Sequence, residues 1–157
     1  MKITLLVVGK TSVKYLENGI NDYAARIDHF TPFNIETIPV LKNTKNMVNS
    51  VQREIEGESI LKKRQPGDIM ILLDDKGKEM NSTDMADWLG RTVILSGKRL
   101  LFVIGGPYGF SDSVYNAANQ KLSLSKMTFS HQMVRLIFTE QLYRAFSILN
   151  GMPYHHE

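Results

Sequence analysis

Short apolar runs alternate with longer stretches of helical periodicity from the first residues to Ala118. A chain ordered this way buries its apolar surface by pairing the strands in a mainly parallel sheet and laying helices on both faces. Residues 2–8 read as a buried strand closed by Gly9. Val13, Leu16, Ile20, Tyr23, Ala24 and Ile27 then recur at helical spacing, with Ser12 placed to cap that helix. Pro32 breaks the chain. Residues 33–40 read as a strand, and Pro39 suits its end or an edge, because proline gives no ladder donor. Residues 43–65 predict a more polar helix with Val48, Val51 and Ile55 on one face and Lys62, Lys63 and Arg64 in its last turn, where they complement the helix dipole or contact RNA. Residues 68–73 form a third buried strand. The following Asp74-Asp75-Lys76-Gly77-Lys78 reads as a solvated turn in preference to a metal site. Asn81, Ser82, Thr83 and Asp84 open another helix with Met85, Trp88, Leu89 and Thr92 inward, and Gly97 closes it. Residues 99–104 are the fourth strand.

Residues 101–150 carry the densest signals. The apolar run Leu101-Phe102-Val103-Ile104 meets the turn Gly105-Gly106-Pro107-Tyr108-Gly109, followed by a short helix, a strand and loop in the stretch Leu122-Ser123-Leu124-Ser125-Lys126-Met127-Thr128-Phe129, and a long helix over residues 132–149. Ligands of open α/β sheets sit beyond the carboxyl ends of strands. Two glycines there let a backbone approach a ligand, although the same five residues also suit a plain turn. The long helix is apolar around most of its circumference through Met133, Val134, Leu136, Ile137, Phe138, Leu142, Tyr143, Ala145, Phe146, Ile148 and Leu149. A terminal helix of one domain ordinarily buries one face, so the surplus predicts a homodimer unless the sheet and a neighbouring helix cover both sides.

Several chemistries are excluded. The chain has no cysteine, hence no disulfide and no thiolate ligand or nucleophile. It lacks G-x-G-x-x-G, the phosphate-loop motif, the G-x-S-x-G elbow and H-E-x-x-H. His29 beside Asp28 reads as structural, and the adjacent His155 and His156 point apart, so no metal is expected. The opening apolar run is too short to span a membrane and lacks a small-residue cleavage site, which predicts a cytoplasmic location. No linker or repeat divides residues 1–157, which read as one domain. A net charge of +3 permits RNA as partner without requiring it. The tail Pro153-Tyr154-His155-His156-Glu157 is either a frayed end or a group able to stack on a base, donate to phosphate and move protons near neutral pH.

Four stretches together resemble one family: Phe102-Val103-Ile104-Gly105-Gly106-Pro107-Tyr108-Gly109, then Leu122 through Arg135, then Glu140-Gln141-Leu142-Tyr143-Arg144-Ala145-Phe146, then Pro153-Tyr154-His155. The chain resembles, over its full length, the RlmH family of SPOUT-class methyltransferases, which act on N3 of a pseudouridine in 23S rRNA. The resemblance implies an α/β fold with a C-terminal trefoil knot, S-adenosyl-L-methionine as cofactor, a homodimer, and the assembled ribosome as substrate. It implies cofactor binding by Leu73, Gly105, Leu124, Ser125, Lys126, Met127, Thr128 and Phe129, and catalytic roles for Arg144, Tyr154 and His155. His156 stands where the family tends to carry Arg or Lys, which puts any phosphate contact there in doubt. A SPOUT enzyme acting on another RNA, or a ribosome-binding protein without activity, are the alternative readings.

Overall fold

The computed structural model describes residues 2–156 apart from the side chains of residues 93–95, so Met1 and Glu157 lie outside the described residues. Its elements alternate without exception: β1 (Ile3–Val8), α1 (Lys14–Asp28), β2 (Phe33–Ile38), α2 (Asn49–Lys63), β3 (Ile69–Glu79), α3 (Ser82–Ser96), β4 (Leu100–Ile104), α4 (Asp112–Ala117), β5 (Gln120–Ser123) and α5 (Met133–Leu149). The sheet runs β2-β1-β4-β3-β5, and every neighbouring pair is parallel. Successive residues of a strand face opposite ways, and the core divides accordingly. Ile3, Leu5, Val7, Ile71, Leu100, Phe102 and Ile104 pack against α1, α3 and α5. Leu6, Met70, Leu72, Leu101 and Val103 pack against α2 and α4 through Ile60 and Val114. The sheet is thus buried on both faces, as its near-continuous apolar strands require. Pro39 immediately follows the edge strand β2, as its missing donor predicts.

Three local expectations need correction. β3 does not stop at Leu73. It continues to Glu79 with an irregularity between Leu73 and Lys78, because Lys78 and Glu79 resume pairing with Leu122 and Ser123. The second helix starts at Asn49 rather than near Asn43, and Val48, Val51 and Ile55 stay exposed. Its buried residues are Glu56, Gly57 and Ile60, on the side where α4 packs. Ser12 does not cap α1. Its backbone N–H and that of Val13 both donate to Gln132 Oε1, at 3.0 and 3.1 Å, so a side chain from the far end of the sequence closes that terminus.

The apolar circumference of α5 is largely covered within the chain. The helix lies between α1 and α3, with Phe138 against Phe102 at 4.8 Å between ring centroids and Phe146 stacked on Phe30 at 5.4 Å. Leu136 and Ile137 are half-buried and Leu149 is exposed. Near its start, the buried Arg135 guanidinium donates to the carbonyls of Val8 (2.8 Å) and Gly9 (2.9 Å) and to Thr11 Oγ1 (3.0 Å). This ties the β1–α1 loop to the helix that follows the loop of residues 124–132.

Candidate active site

Leu73 at the irregularity within β3, Ile104 at the carboxyl end of β4 and Leu122 near that of β5 form part of the wall of a cavity of about 430 Å³, within the range of small-molecule sites. The loop after β4 supplies Gly105, Gly106 and Phe110, and the loop after β5 supplies Leu124, Ser125, Met127, Thr128 and Phe129. Seven of the eight residues expected at the cofactor thus line one cavity. Lys126 does not. Its side chain is exposed, and its ammonium lies 3.9 Å from the Glu79 carboxylate. The loop holds its own shape: Ser123 Oγ donates to Ser125 O (3.0 Å), and Ser125 Oγ accepts from Met127 N (2.9 Å), the local side-chain-to-backbone turn that serines favour.

The cavity has polar groups that the motifs do not point to, Asp74, Asp75 and Tyr115, and His131 and Val134 of the second motif stretch also line it. Asp74 accepts from Tyr115 OH at 2.6 Å and from Lys76 N at 3.2 Å. Burial alone would raise the Asp74 carboxyl, but those two bonds, together with a bond from Asp75 and the charge of Lys121, outweigh it and hold it below the ordinary carboxylate range. The composition of Asp-Asp-Lys-Gly resembles a surface turn, so nothing in the sequence ties Asp74 to a tyrosine 41 positions away. At Gly105 an added Cβ would stand 3.0 Å from the Phe110 ring. A side chain there displaces Phe110, itself part of the cavity wall, so the effect on a ligand is exerted through that ring.

Arg144, Tyr154 and His155 gather at the other end of α5. Arg144 lies ten residues beyond Val134, or about 15 Å along the helix, so in one chain these three do not join the cavity. Glu140 organises them. Its Oε1 accepts from Arg144 Nε (3.1 Å) and from Tyr154 OH (2.9 Å), and Arg144 also forms an ion pair with it. The Tyr154 ring packs edge-on against Tyr143 at 4.7 Å, and the Arg144 guanidinium lies 4.8 Å from the Tyr154 ring centre. Tyr154 donates to Glu140, so in its 3.0 Å contact with Tyr23 OH the proton comes from Tyr23. Burial first, then the bonds with Tyr23 and Glu140, raise the Tyr154 phenol above its ordinary value. It is a donor at neutral pH and not a phenolate base.

His155 Nδ1 lies 3.0 Å from Arg144 Nη1. A guanidinium can only donate, so Nδ1 accepts and a neutral ring carries its proton on Nε2. The lone pair that would take a proton is engaged, and the group His155 can donate is the Nε2–H. Glu140 and Tyr23 are the functional candidates that sequence reasoning missed. Glu140 lies inside a family motif without an expected role, and Tyr23 reads as one more apolar-face residue of α1. Among the described residues no group of three or more His, Cys, Asp or Glu could hold a metal, and no helix is long and apolar enough to cross a membrane.

This fold and cavity define a class. The chain belongs to the SPOUT methyltransferase family, whose model, described as "Predicted SPOUT methyltransferase", matches residues 1–155. At full length it is similar to proteins named Ribosomal RNA large subunit methyltransferase H. That of Phocaeicola vulgatus is 59% identical over 157 residues, that of Bacteroides fragilis 57% over 157 and that of Flavobacterium johnsoniae 50% over 157, each match covering 100% of both chains. Among solved structures, a probable methylase family protein from Haemophilus influenzae matches with a TM-score of 0.51 at 11% identity, covering 99% of this chain and 70% of that one. That likeness speaks to the fold alone.

Proposed function

We propose that this protein is a 23S rRNA (pseudouridine-N3) methyltransferase that acts on the assembled ribosome in the cytoplasm. The observation that carries the reading is full-length identity of up to 59% with proteins named for methylating large-subunit ribosomal RNA. On this reading residues 1–157 form a single SPOUT domain, and the C-terminal segment is threaded as a trefoil knot.

The cofactor is S-adenosyl-L-methionine, which when bound supplies an electrophilic methyl group on a sulfonium. The cavity suits it. Leu73, Leu122, Leu124 and Phe129 offer an apolar enclosure for adenine, and the carboxylates of Asp74 and Asp75 suit a ligand that carries cationic groups and a ribose diol. Backbone groups of residues 105–106 and 124–129 hold it.

Methylation at N3 requires the imide to lose its proton. Arg144 keeps its charge at any working pH and favours the imidate. Tyr154 keeps its one phenolic proton on Glu140 and packs its ring against Arg144, so it holds the cation in place, His155 Nε2–H is a donor for a carbonyl oxygen of the base, and neither is the proton acceptor in this arrangement. That leaves the cationic environment, with water as the final acceptor, as the means of deprotonation. The separation of the two groups along α5 calls for a second copy: in a homodimer, Arg144, Tyr154 and His155 of one subunit complete the cavity of the other. Leu149 and Met152, both exposed, supply apolar surface at the end of α5 where that contact would form. Ribosomes from cells lacking the protein, incubated with cofactor labelled in its methyl group, test the assignment. Label on N3 of one pseudouridine of the large-subunit rRNA is expected, and label on another nucleoside or another RNA would replace it with a different SPOUT substrate.

A further inference from the structure

Glu56 is 7% exposed, on the face of α2 that packs against α4. No cation among the described residues pairs with it. A buried carboxylate without a counterion is costly, and burial raises its carboxyl while the Gly106 N–H partly offsets the rise. That N–H donates to Oε1 at 2.9 Å. Glu56 also fills the space where a side chain of residue 106 would begin: a Cβ there would stand 2.5 Å from Oε2. Gly57 beside it lets the helix approach Ser111, so the carboxylate is carried right up to the back of the loop.

Gly105 and Gly106 line the cavity and Glu56 does not, so Glu56 grips the loop from behind. Among the described residues no peptide bond is cis, and in a trans peptide the N–H and C=O point opposite ways. Fixing the Gly106 N–H toward Glu56 turns the Gly105 carbonyl the other way, to the cavity side. We infer that Glu56 is a positioning residue for the cofactor: it latches the Gly106 N–H and thereby presents the Gly105 carbonyl as an acceptor for an N–H or O–H donor of the adenosyl ligand. The inference rests on the reading of this cavity as the cofactor site. It also accounts for glycine at position 106, which any side chain would force off the carboxylate.

The test is calorimetry of S-adenosylmethionine on the full chain, with melting and amide hydrogen exchange measured alongside. Glu56→Ala raises Kd about tenfold or more, the scale of one charge-assisted hydrogen bond. Glu56→Gln, which can still accept from Gly106, stays within about threefold. Gly106→Ala weakens binding like Glu56→Ala, and the double variant binds no worse than the weaker single one, because both break the same contact. Without ligand, the Gly106 amide exchanges slowly in the wild type and fast in Glu56→Ala. A folded Glu56→Ala with wild-type Kd, or effects that multiply in the double variant, overturns the inference. Should Glu56→Ala fail to fold, Gly106→Ala decides in its place, and an unchanged Kd there overturns the inference. If the wild type itself binds no S-adenosylmethionine, the cavity reading fails. The exchange rates then decide the latch by themselves, and equal rates overturn it.

Discussion

Replacing Glu140 should disable methyl transfer while leaving the cofactor cavity intact. Its carboxylate receives Arg144 Nε and Tyr154 OH, and its second oxygen accepts from Gln141 Nε2 at 2.9 Å. The side chains of Glu140 and Arg144 are 20% and 25% exposed, so solvent screens the pair only in part. Hydrogen bonds to charged groups contribute about 1.5–3 kcal/mol each. Glu140→Ala removes several at once, but Tyr154 keeps Tyr23 and Arg144 keeps His155, so the net loss of stability should be about 1–3 kcal/mol. At about 2–4 °C per kcal/mol for a chain of this size, Tm falls by several degrees and the protein stays folded. The rate suffers more. Arg144 and Tyr154 lose their common anchor, and a misplacement of about 1 Å costs about 100-fold. Glu140→Gln keeps an acceptor oxygen without the charge and should lose about tenfold, since charge-assisted bonds are about twice as strong as neutral ones. The assay is labelled methyl transfer to undermodified ribosomes, with cofactor Kd and Tm measured on the same preparations. A Glu140→Ala protein that methylates within about twofold of wild type would refute the reasoning, since Arg144 and Tyr154 would then need no such anchor.

Other outcomes follow from the same geometry. Burial raises the Asp68 carboxyl, but the Arg99 guanidinium, with Nε at 3.0 Å, and the Gln65 N–H at 2.8 Å outweigh it and hold it below its ordinary value. Its contribution is therefore present above the unfolded carboxyl's value and lost as pH falls below about 4 through the folded one. Thermal melts should show wild-type Tm dropping there, with Asp68→Asn less stable at neutral pH and flatter in acid. Phe138→Ala removes a fully buried ring that packs on Phe102 and should cost about 3–5 kcal/mol in denaturant unfolding. Nitrogen NMR of labelled histidine should find the neutral form of His155 with its proton on Nε2, and Arg144→Ala should release that preference.

The order of elements was legible because the central strands β1 and β4 are apolar and buried throughout and the segments between strands carry a helical period. Where sequence reasoning slipped, a distant partner decided. Asp74 and Gly77 read as turn residues, yet β5 returns to pair beyond them. Val48, Val51 and Ile55 read as one apolar face of the second helix, yet α4 packs on the face that holds Glu56, Gly57 and Ile60. Arg135 enters the sequence only as the last residue of a family motif, and its acceptors are main-chain carbonyls 126 and 127 positions away, which no periodicity can reveal. The site residues themselves were named from motifs. Their division between two ends of α5, and the neutral tautomer that Arg144 imposes on His155, depend on packing and had no local signature.

Mixing two inactive variants examines the site shared between subunits. Gly105→Val crowds the Phe110 ring of the cavity wall and should abolish cofactor binding, and Arg144→Ala should abolish transfer with binding retained. Each alone is expected to leave ribosomes unmethylated. When the two are unfolded together, refolded at equal concentration and given labelled cofactor, half the dimers are mixed and each holds one intact site. Methyl transfer should return to about a quarter of the wild-type level for a two-fold dimer. If mixed dimers form, as shown by mass, and no methylation returns, the two groups do not act across subunits and the account of this active site is wrong.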